Sequence, residues 1–218
     1  RWLVVAWGVV LAQIVLGGLT VLLGLAPWTV TAHLLTGTSF AAALLWTRAA
    51  VRETASPRPR PALPTRARRS LVAALLLLVL QIGLGGLVSA HYAGLDCPDW
   101  PTCRDGVWFP SLQGGVGLHL LHRTNAYPVV VAMLVAFAWN RRHPGIARPL
   151  RLACALTLAQ VAVGVANVAL DLHVAVTALH TGVAACIALS LAAALREAIR
   201  RPVGTDGPRQ RVVVVGAG

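Results

Sequence analysis

Histidines that follow a glutamine at a fixed distance are the residues of this chain whose type and spacing indicate chemistry. His33 lies 20 residues after Gln13 in LAQIVLGGLTVLLGLAPWTVTAHLLTG, and His180 lies 20 residues after Gln160 in LAQVAVGVANVALDLHVAVTALHTGVA. A constant offset of 147 residues superimposes the two segments. An imidazole costs free energy in hydrocarbon unless it has a partner, and in a helix bundle haem iron is a common strong partner. The repeat therefore predicts the same histidine chemistry twice.

A third copy of the glutamine motif precedes His122. QIGLGGLV begins at Gln81, as QIVLGGLT begins at Gln13, and His122 follows Gln81 by 41 residues because a long loop intervenes. The apolar segments thus come in pairs, a glutamine–glycine helix followed by a histidine helix. The last two pairs predict a four-helix unit, and the first pair matches the second half of such a unit. We therefore expect a further pair before Arg1 in the complete protein, which would have eight helices in two related bundles.

The composition indicates an integral membrane protein. The chain is 57% hydrophobic and 12% charged, whereas soluble domains carry about 25% charged residues. Its net charge is +12, but the arginines cluster between apolar segments, which is the positive-inside pattern and argues against nucleic-acid binding. Six segments are long enough to span a bilayer. They are Trp2–Gly24, Trp28–Trp46, Leu71–Ala90, Val116–Trp139, Leu152–Leu170 and Val174–Leu195.

The arginine distribution also predicts orientation and domains in this all-α protein. Three arginine-rich stretches alternate with arginine-poor loops, so we expect a multi-pass protein of the plasma membrane with both visible ends in the cytoplasm. Residues 1–47 would be the second helix pair of a first bundle, 48–69 a cytoplasmic Arg/Pro-rich linker, and 70–197 a four-helix bundle. The loop 91–115 would face outward, and 198–218 would be a cytoplasmic tail that ends in VVVVGAG. No predicted span holds a carboxylate, which argues against an ion-coupled transporter.

His122 and His180 lie at similar depths in the predicted four-helix unit. Both are about seven residues from the outer ends of helices that run inward, which favours axial ligation of one haem iron from opposite sides. The alternative is that each imidazole is hydrogen-bonded to a membrane glutamine. His119, one turn from His122, is a weaker candidate for a ligand, a supporting group or a core residue. Arg123 would bind a haem propionate or extend its charge to the outer interface.

Cys97 and Cys103 lie in CPDWPTC on the predicted outer loop. Since the outer compartment is oxidising, the pattern favours a disulfide over a zinc pair. The bond would be a structural crosslink or a redox-active group near a haem.

Together these motifs resemble the haem A synthase family. The features that carry the resemblance are QIVLGGLT with PWTVTAHL, the loop CPDWPTC, the pair His122–Arg123 and the final TALHTG, over residues 1 to about 197. The resemblance implies two pseudo-symmetric four-helix bundles and oxidation of a haem O methyl group to the formyl group of haem A. It implies a b-type haem between His122 and His180, and the substrate haem O on His33. Haem O synthase or oxidase assembly proteins are the partners it implies.

The chain departs from the family pattern in one respect. The family's catalytic glutamate and a second His–Arg pair belong to a helix outside this sequence, so we expect a fragment or a shortened relative, and no catalytic residue is assigned. The alternative is a non-catalytic membrane protein that binds haem or transfers electrons. A third interpretation is an outer-face thiol–disulfide exchange protein that uses Cys97 and Cys103.

Overall fold

The computed structural model describes residues 2–55 and 63–199, and within them the chain is all α-helical. The six helices are α1 (Trp2–Leu22), α2 (Pro27–Ala55), α3 (Thr65–Ala90), α4 (Gly114–Asn140), α5 (Pro144–Ala169) and α6 (Val174–Ile199). All six are long and apolar enough to cross a membrane. The predicted fold class is therefore confirmed over the described residues.

On the arginine-rich side, the helices extend beyond the apolar segments that were predicted from the sequence. Helix α2 continues to Ala55 and α3 begins at Thr65, so both extend into the predicted linker 48–69. Hydropathy marks only the part of a helix that lies in hydrocarbon, and a helix continues beyond it where arginine heads reach the interface. The proline-rich centre of the linker (56–62) and the tail from residue 200, with its VVVVGAG end, lie outside the described residues.

Helices α3 to α6 form a closed ring in which each helix packs against two others. Helix α3 contacts α4 and α6, and α5 contacts the same two helices, so α4 and α6 occupy opposite corners. The α1–α2 hairpin joins this ring through α2, which packs against both α3 and α6. The two histidine helices of the ring therefore face each other across its centre.

The larger apolar core lies in the arginine-rich half of this ring. Its fully or almost fully buried side chains come from all four helices and include Leu71, Leu78, Met133, Ala136, Leu150, Ile187 and Leu191. Because lipid is as apolar as these side chains, the contacts stabilise the bundle by van der Waals packing rather than by removal of water.

Two polar contacts join α2 to α6 at the arginine-rich end. Arg196 forms a bidentate ion pair with Glu53, with its Nη2 3.1 Å from Oε2. The Trp46 indole Nε1 donates to the Ala192 carbonyl at 2.8 Å. Arg196 is only 5% exposed, because α6 continues past the apolar segment and turns that residue towards α2.

We predict that Glu53→Gln lowers the thermal stability of the detergent-solubilised protein more than Arg48→Gln does. The first change leaves Arg196 buried without its charge partner, whereas Arg48 is exposed on the same helix. Loss of one partner of a buried pair costs about 3–5 kcal/mol, and because Glu53 is partly exposed we expect about 1–3 kcal/mol. Helical circular dichroism during heating measures the difference, and equal melting temperatures for the two variants would contradict the prediction.

Candidate functional site

Each histidine of the repeat rests on a glycine of the preceding helix. A Cβ atom added to Gly17 would lie 3.1 Å from Cε1 of His33, and one added to Gly164 would lie 3.1 Å from Cε1 of His180. These distances are shorter than ordinary van der Waals contact, so a side chain there would displace the ring. In the sequence these glycines are visible as part of the repeat, but the repeat alone does not indicate their role.

The third pair has the same geometry. A Cβ atom on Gly85 would lie 3.0 Å from Cε1 of His122. In every copy the glycine comes four residues after the glutamine, one helical turn further along the same face. The spacing therefore places the glutamine amide and the glycine backbone side by side against one imidazole.

In the two pairs of the ring, the glutamine holds the backbone of the histidine helix. The Gln81 amide donates to the His122 carbonyl at 3.0 Å, and the Gln160 amide donates to the His180 carbonyl at 2.9 Å. Asn125 in turn donates to the Gln81 side-chain oxygen at 2.9 Å, which orients that amide. The Gln81 amide also lies 3.2 Å from Nδ1 of the His122 ring.

The first pair differs in that the described structure has no bond from the glutamine to the histidine carbonyl. The Gln13 amide nitrogen lies 3.3 Å from Nε2 of His33 and contacts the ring alone. Nδ1 of His33 is buried and has no hydrogen-bond partner. His33 lies on α2, and its ring contacts α1 rather than the interior between α4 and α6.

His122 and His180 lie on helices at opposite corners of the ring. They belong to α4 and α6, each of which packs against both α3 and α5. Nδ1 of His180 is buried without a partner, and its Nε2 has no hydrogen bond to any described residue. Neutral imidazole nitrogens without protein partners are available as metal ligands.

Helices α5 and α6 are loosely packed at the level of His180. Between the loop that joins them and the level of Thr157 and Ile187, every described residue of those two helices is half-buried or exposed. Below that level the core is closed around Met133 and Leu191, both fully buried. On α3 and α4, by contrast, Val88 and Leu120 are buried near His122.

Arg123 is engaged with the outer loop. Its Nη1 donates to the carbonyls of Asp99 and Thr102 at 2.8 and 3.1 Å, and its Nη2 donates to the Cys97 carbonyl at 2.5 Å. Its Nε donates to Nε2 of His119 at 3.2 Å. A guanidinium has five N–H groups, so one remains for another acceptor.

His119 belongs to this loop cluster. It is 4% exposed, and its Nδ1 lies 3.3 Å from the backbone nitrogen of Cys97. A neutral imidazole has one acceptor nitrogen. The Cys97 backbone N–H donates towards Nδ1 and the Arg123 Nε–H donates towards Nε2, so the tautomer of the ring decides which of the two bonds is accepted. With both nitrogens directed at the loop and at Arg123, His119 positions the loop and leaves His122 as the histidine of α4 that faces the interior.

The predicted disulfide is present. Cys97 and Cys103 are bonded, with their Cα atoms 4.3 Å apart, and both are buried against Leu120 and Val116 at the outer end of α4. The crosslink fixes the carbonyls that Arg123 contacts. Both sulfur atoms are used in this bond.

Comparison with known proteins identifies similar chains. Residues 1–192 match the model of a family described as COX15-CtaA, cytochrome oxidase assembly protein. A protein of Rhizorhabdus wittichii named heme A synthase is 32% identical over 190 residues, which cover 81% of this chain and 53% of that protein. A Shewanella oneidensis protein of the same name is 30% identical over 206 residues, 84% of this chain and 62% of that protein. The chain therefore spans about half the length of the curated relatives it matches.

We predict that Gly17→Val destabilises the protein and that Gly18→Val does so much less. The two glycines are adjacent in α1, but a Cβ at Gly18 meets nothing within 4 Å whereas one at Gly17 meets the His33 ring. Overpacking costs about 1–3 kcal/mol, and the change in helix propensity is the same at both positions. Melting temperatures in detergent measure the difference, and a Gly18 variant as unstable as the Gly17 variant would exclude the ring contact as the cause.

Proposed function

Because the chain belongs to the COX15-CtaA family of cytochrome oxidase assembly proteins, we propose that it takes part in making haem A by oxidising the haem O methyl group to a formyl group. Its relatives that share about 30% of its sequence are named heme A synthase. In this proposal the ring of α3 to α6 holds a b-type haem between His122 and His180. His33 holds the substrate, haem O.

The observation that carries the proposal is the placement of His122 and His180 on α4 and α6, which stand at opposite corners of one ring. A haem held by both histidines would need a ligand nitrogen from each side and space between them. The Nε2 of His180 has no hydrogen bond to any described residue, and no described residue of α5 or α6 at its level is buried. Both features support the proposal.

The residues around the two histidines hold them in place. Gly85 and Gly164 allow each ring to lie directly on a neighbouring backbone, and Gln81 and Gln160 set the height of each histidine helix by donating to its carbonyl. A bound haem would supply one-electron chemistry, and its reduction potential would depend on the hydrogen bonds and packing around its ligands. These contacts restrict how each imidazole rotates or shifts along its helix.

His33 has a different environment, which supports a different role. Its Nε2 is shared with the Gln13 amide, so that contact has to break before Nε2 binds iron. His122 and His180 are also held at their carbonyls by glutamine, whereas His33 is contacted only at its ring, and this looser attachment suits a haem that arrives as substrate and leaves as product. Haem O synthase, which would supply that substrate, and oxidase assembly proteins are the partners we propose.

We propose that Arg123 contributes little to haem binding. Four of its N–H groups are used by the loop and His119, so it would give at most one to a propionate. We propose that it mainly keeps the disulfide loop over the outer end of the haem site. We also propose that the protein lies in the plasma membrane, with the loop outside and both visible ends in the cytoplasm.

We predict that the purified chain, reconstituted with haem b, has a low-spin spectrum that depends on both histidines. His122→Ala and His180→Ala should each remove one axial ligand and convert the haem to a high-spin form or release it. His91→Ala is the matched control, because His91 is exposed at the outer end of α3. Absorption spectra of the oxidised and reduced proteins give the result, and an unchanged low-spin spectrum in both variants would overturn the ligand assignment.

We predict that expression of the gene that encodes this chain, in its natural form, restores haem A production in cells that make haem O but lack haem A synthase. The substitution His33→Ala in the same gene should abolish haem A production. Loss of the His33 ligand removes the substrate but leaves the haem b spectrum intact. Extracted haems separated by chromatography give the answer, with His91→Ala as control. Haem A from the His33 variant would contradict the substrate assignment. A membrane-inserted, haem-loaded protein that makes no haem A would favour a haem-binding or electron-transfer protein.

A further inference from the structure

A groove lies between α3 and α4 at the arginine-rich end of the ring, remote from the histidines. We call it the α3–α4 groove. It has a volume of about 460 Å³ and is lined by Arg66, Arg69, Ser70, Ala73, Ala132, Val135 and Trp139. Sites that bind small molecules commonly measure about 300–1,000 Å³.

The groove is divided into a charged end and an apolar end. Arg66, Arg69 and Ser70 stand at the start of α3, and Ala73 follows one turn later on the same face, because positions i, i+3, i+4 and i+7 of a helix align. On α4, Ala132, Val135 and Trp139 form the opposite side at matching spacing. The charged end lies at the membrane interface, and the apolar end runs towards the hydrocarbon.

The two arginines of the groove have no acidic partner. Within residues 2–55 and 63–199, neither Arg66 nor Arg69 has an ion pair or hydrogen bond to another side chain, and both are exposed. The first turn of α3 contains no acidic residue and has no side-chain cap, so the helix start adds to the positive potential. By contrast, Arg196 at the same end of the ring is paired with Glu53.

The groove has a rigid base. Asn140, which is fully buried, donates to the Ala136 carbonyl at 2.8 Å and contacts the Ala67 carbonyl and the Ser70 hydroxyl across the α3–α4 interface. These bonds hold the two helices in register beneath the arginines. The spacing between the charged and apolar parts of the groove is therefore set by the fold.

We propose that the α3–α4 groove binds one anionic phospholipid, with its phosphate headgroup on Arg66 and Arg69 and an acyl chain along Ala73, Ala132 and Val135. Arginine forms parallel hydrogen bonds to phosphate oxygens, and basic pockets between membrane helices on the cytoplasmic side bind anionic headgroups. Trp139 lines the same groove, and tryptophan side chains are enriched at the level of lipid headgroups. A free phosphate ion would use the arginines alone, but the apolar side of the groove fits a molecule that also carries a hydrocarbon chain.

Native mass spectrometry of the detergent-solubilised chain, titrated with phosphatidylglycerol or phosphatidylcholine, tests the proposal. The decisive variant is the double substitution Arg66→Gln/Arg69→Gln. Its matched control is Arg148→Gln/Arg151→Gln, which removes two exposed arginines with the same spacing from the same end of α5, outside the groove. Ala73→Trp fills the apolar part without changing charge.

We expect the wild-type chain to retain one phosphatidylglycerol more tightly than phosphatidylcholine. The Arg66/Arg69 variant should bind it about tenfold to thirtyfold more weakly, since each arginine near an anionic headgroup contributes roughly fivefold. The Arg148/Arg151 control should change affinity by less than about twofold, and Ala73→Trp should weaken binding although both arginines remain.

Several results would overturn the proposal. Equal losses in the groove variant and the control would mean that only the general charge of this face attracts anionic lipid. Equal retention of phosphatidylglycerol and phosphatidylcholine would exclude the headgroup site on the arginines. An unchanged affinity in Ala73→Trp would exclude the acyl-chain site. Full displacement of the lipid by millimolar inorganic phosphate would indicate a free-anion site. None of these outcomes depends on haem, so they are independent of the proposed haem chemistry.

Discussion

The contact between each imidazole and the backbone of the neighbouring helix is the constraint on which the arrangement depends. A histidine inside a membrane must have a polar or metal partner, because hydrocarbon supplies none. At Gly17, Gly85 and Gly164 the absence of a side chain lets the ring lie against the preceding helix, and small residues at such interfaces allow helices to approach closely. The glutamine one turn earlier then meets the ring or the carbonyl of the same histidine.

The bundle is stabilised at its two ends rather than at the level of the histidines on α5 and α6. The arginine-rich half of the ring is closed by apolar packing around Met133 and Leu191, and α2 is joined to α6 by the Glu53–Arg196 pair. At the opposite end the disulfide loop is held by Arg123. With both ends fixed, α5 and α6 need no buried side chain at the level of His180, and the proposed haem would lie there. The unpaired arginines of the α3–α4 groove lie at the packed end, where they do not affect that space.

Much of this architecture followed from the sequence because it depends on local patterns. Apolar length predicted the six helices of the described chain, and the offset between His33 and His180 predicted repeated histidine sites. The Cys97–Cys103 disulfide was predicted because the loop was expected in the oxidising outer compartment. What could not be predicted depends on which helix faces which. The bonds of Arg123 to loop carbonyls, the pairing of Arg196 with Glu53 and the orientation of Gln81 by Asn125 join residues distant in sequence. The sequence did contain a sign of the role of the glycines, since each lies four residues after its glutamine. The physical reason for that spacing, contact with the histidine ring, is visible only in the structure.

The central claim is that His122 and His180 together hold one haem iron inside the ring. Electron–nuclear double resonance on the oxidised, haem-loaded protein tests it most directly, with ¹⁵N introduced only in histidine and with His33→Ala present to leave the ring as the haem site. The account predicts strong coupling of the iron to two histidine nitrogens, one from each of two residues. Coupling to a single histidine, or to none, in a protein that has retained its haem would contradict the account.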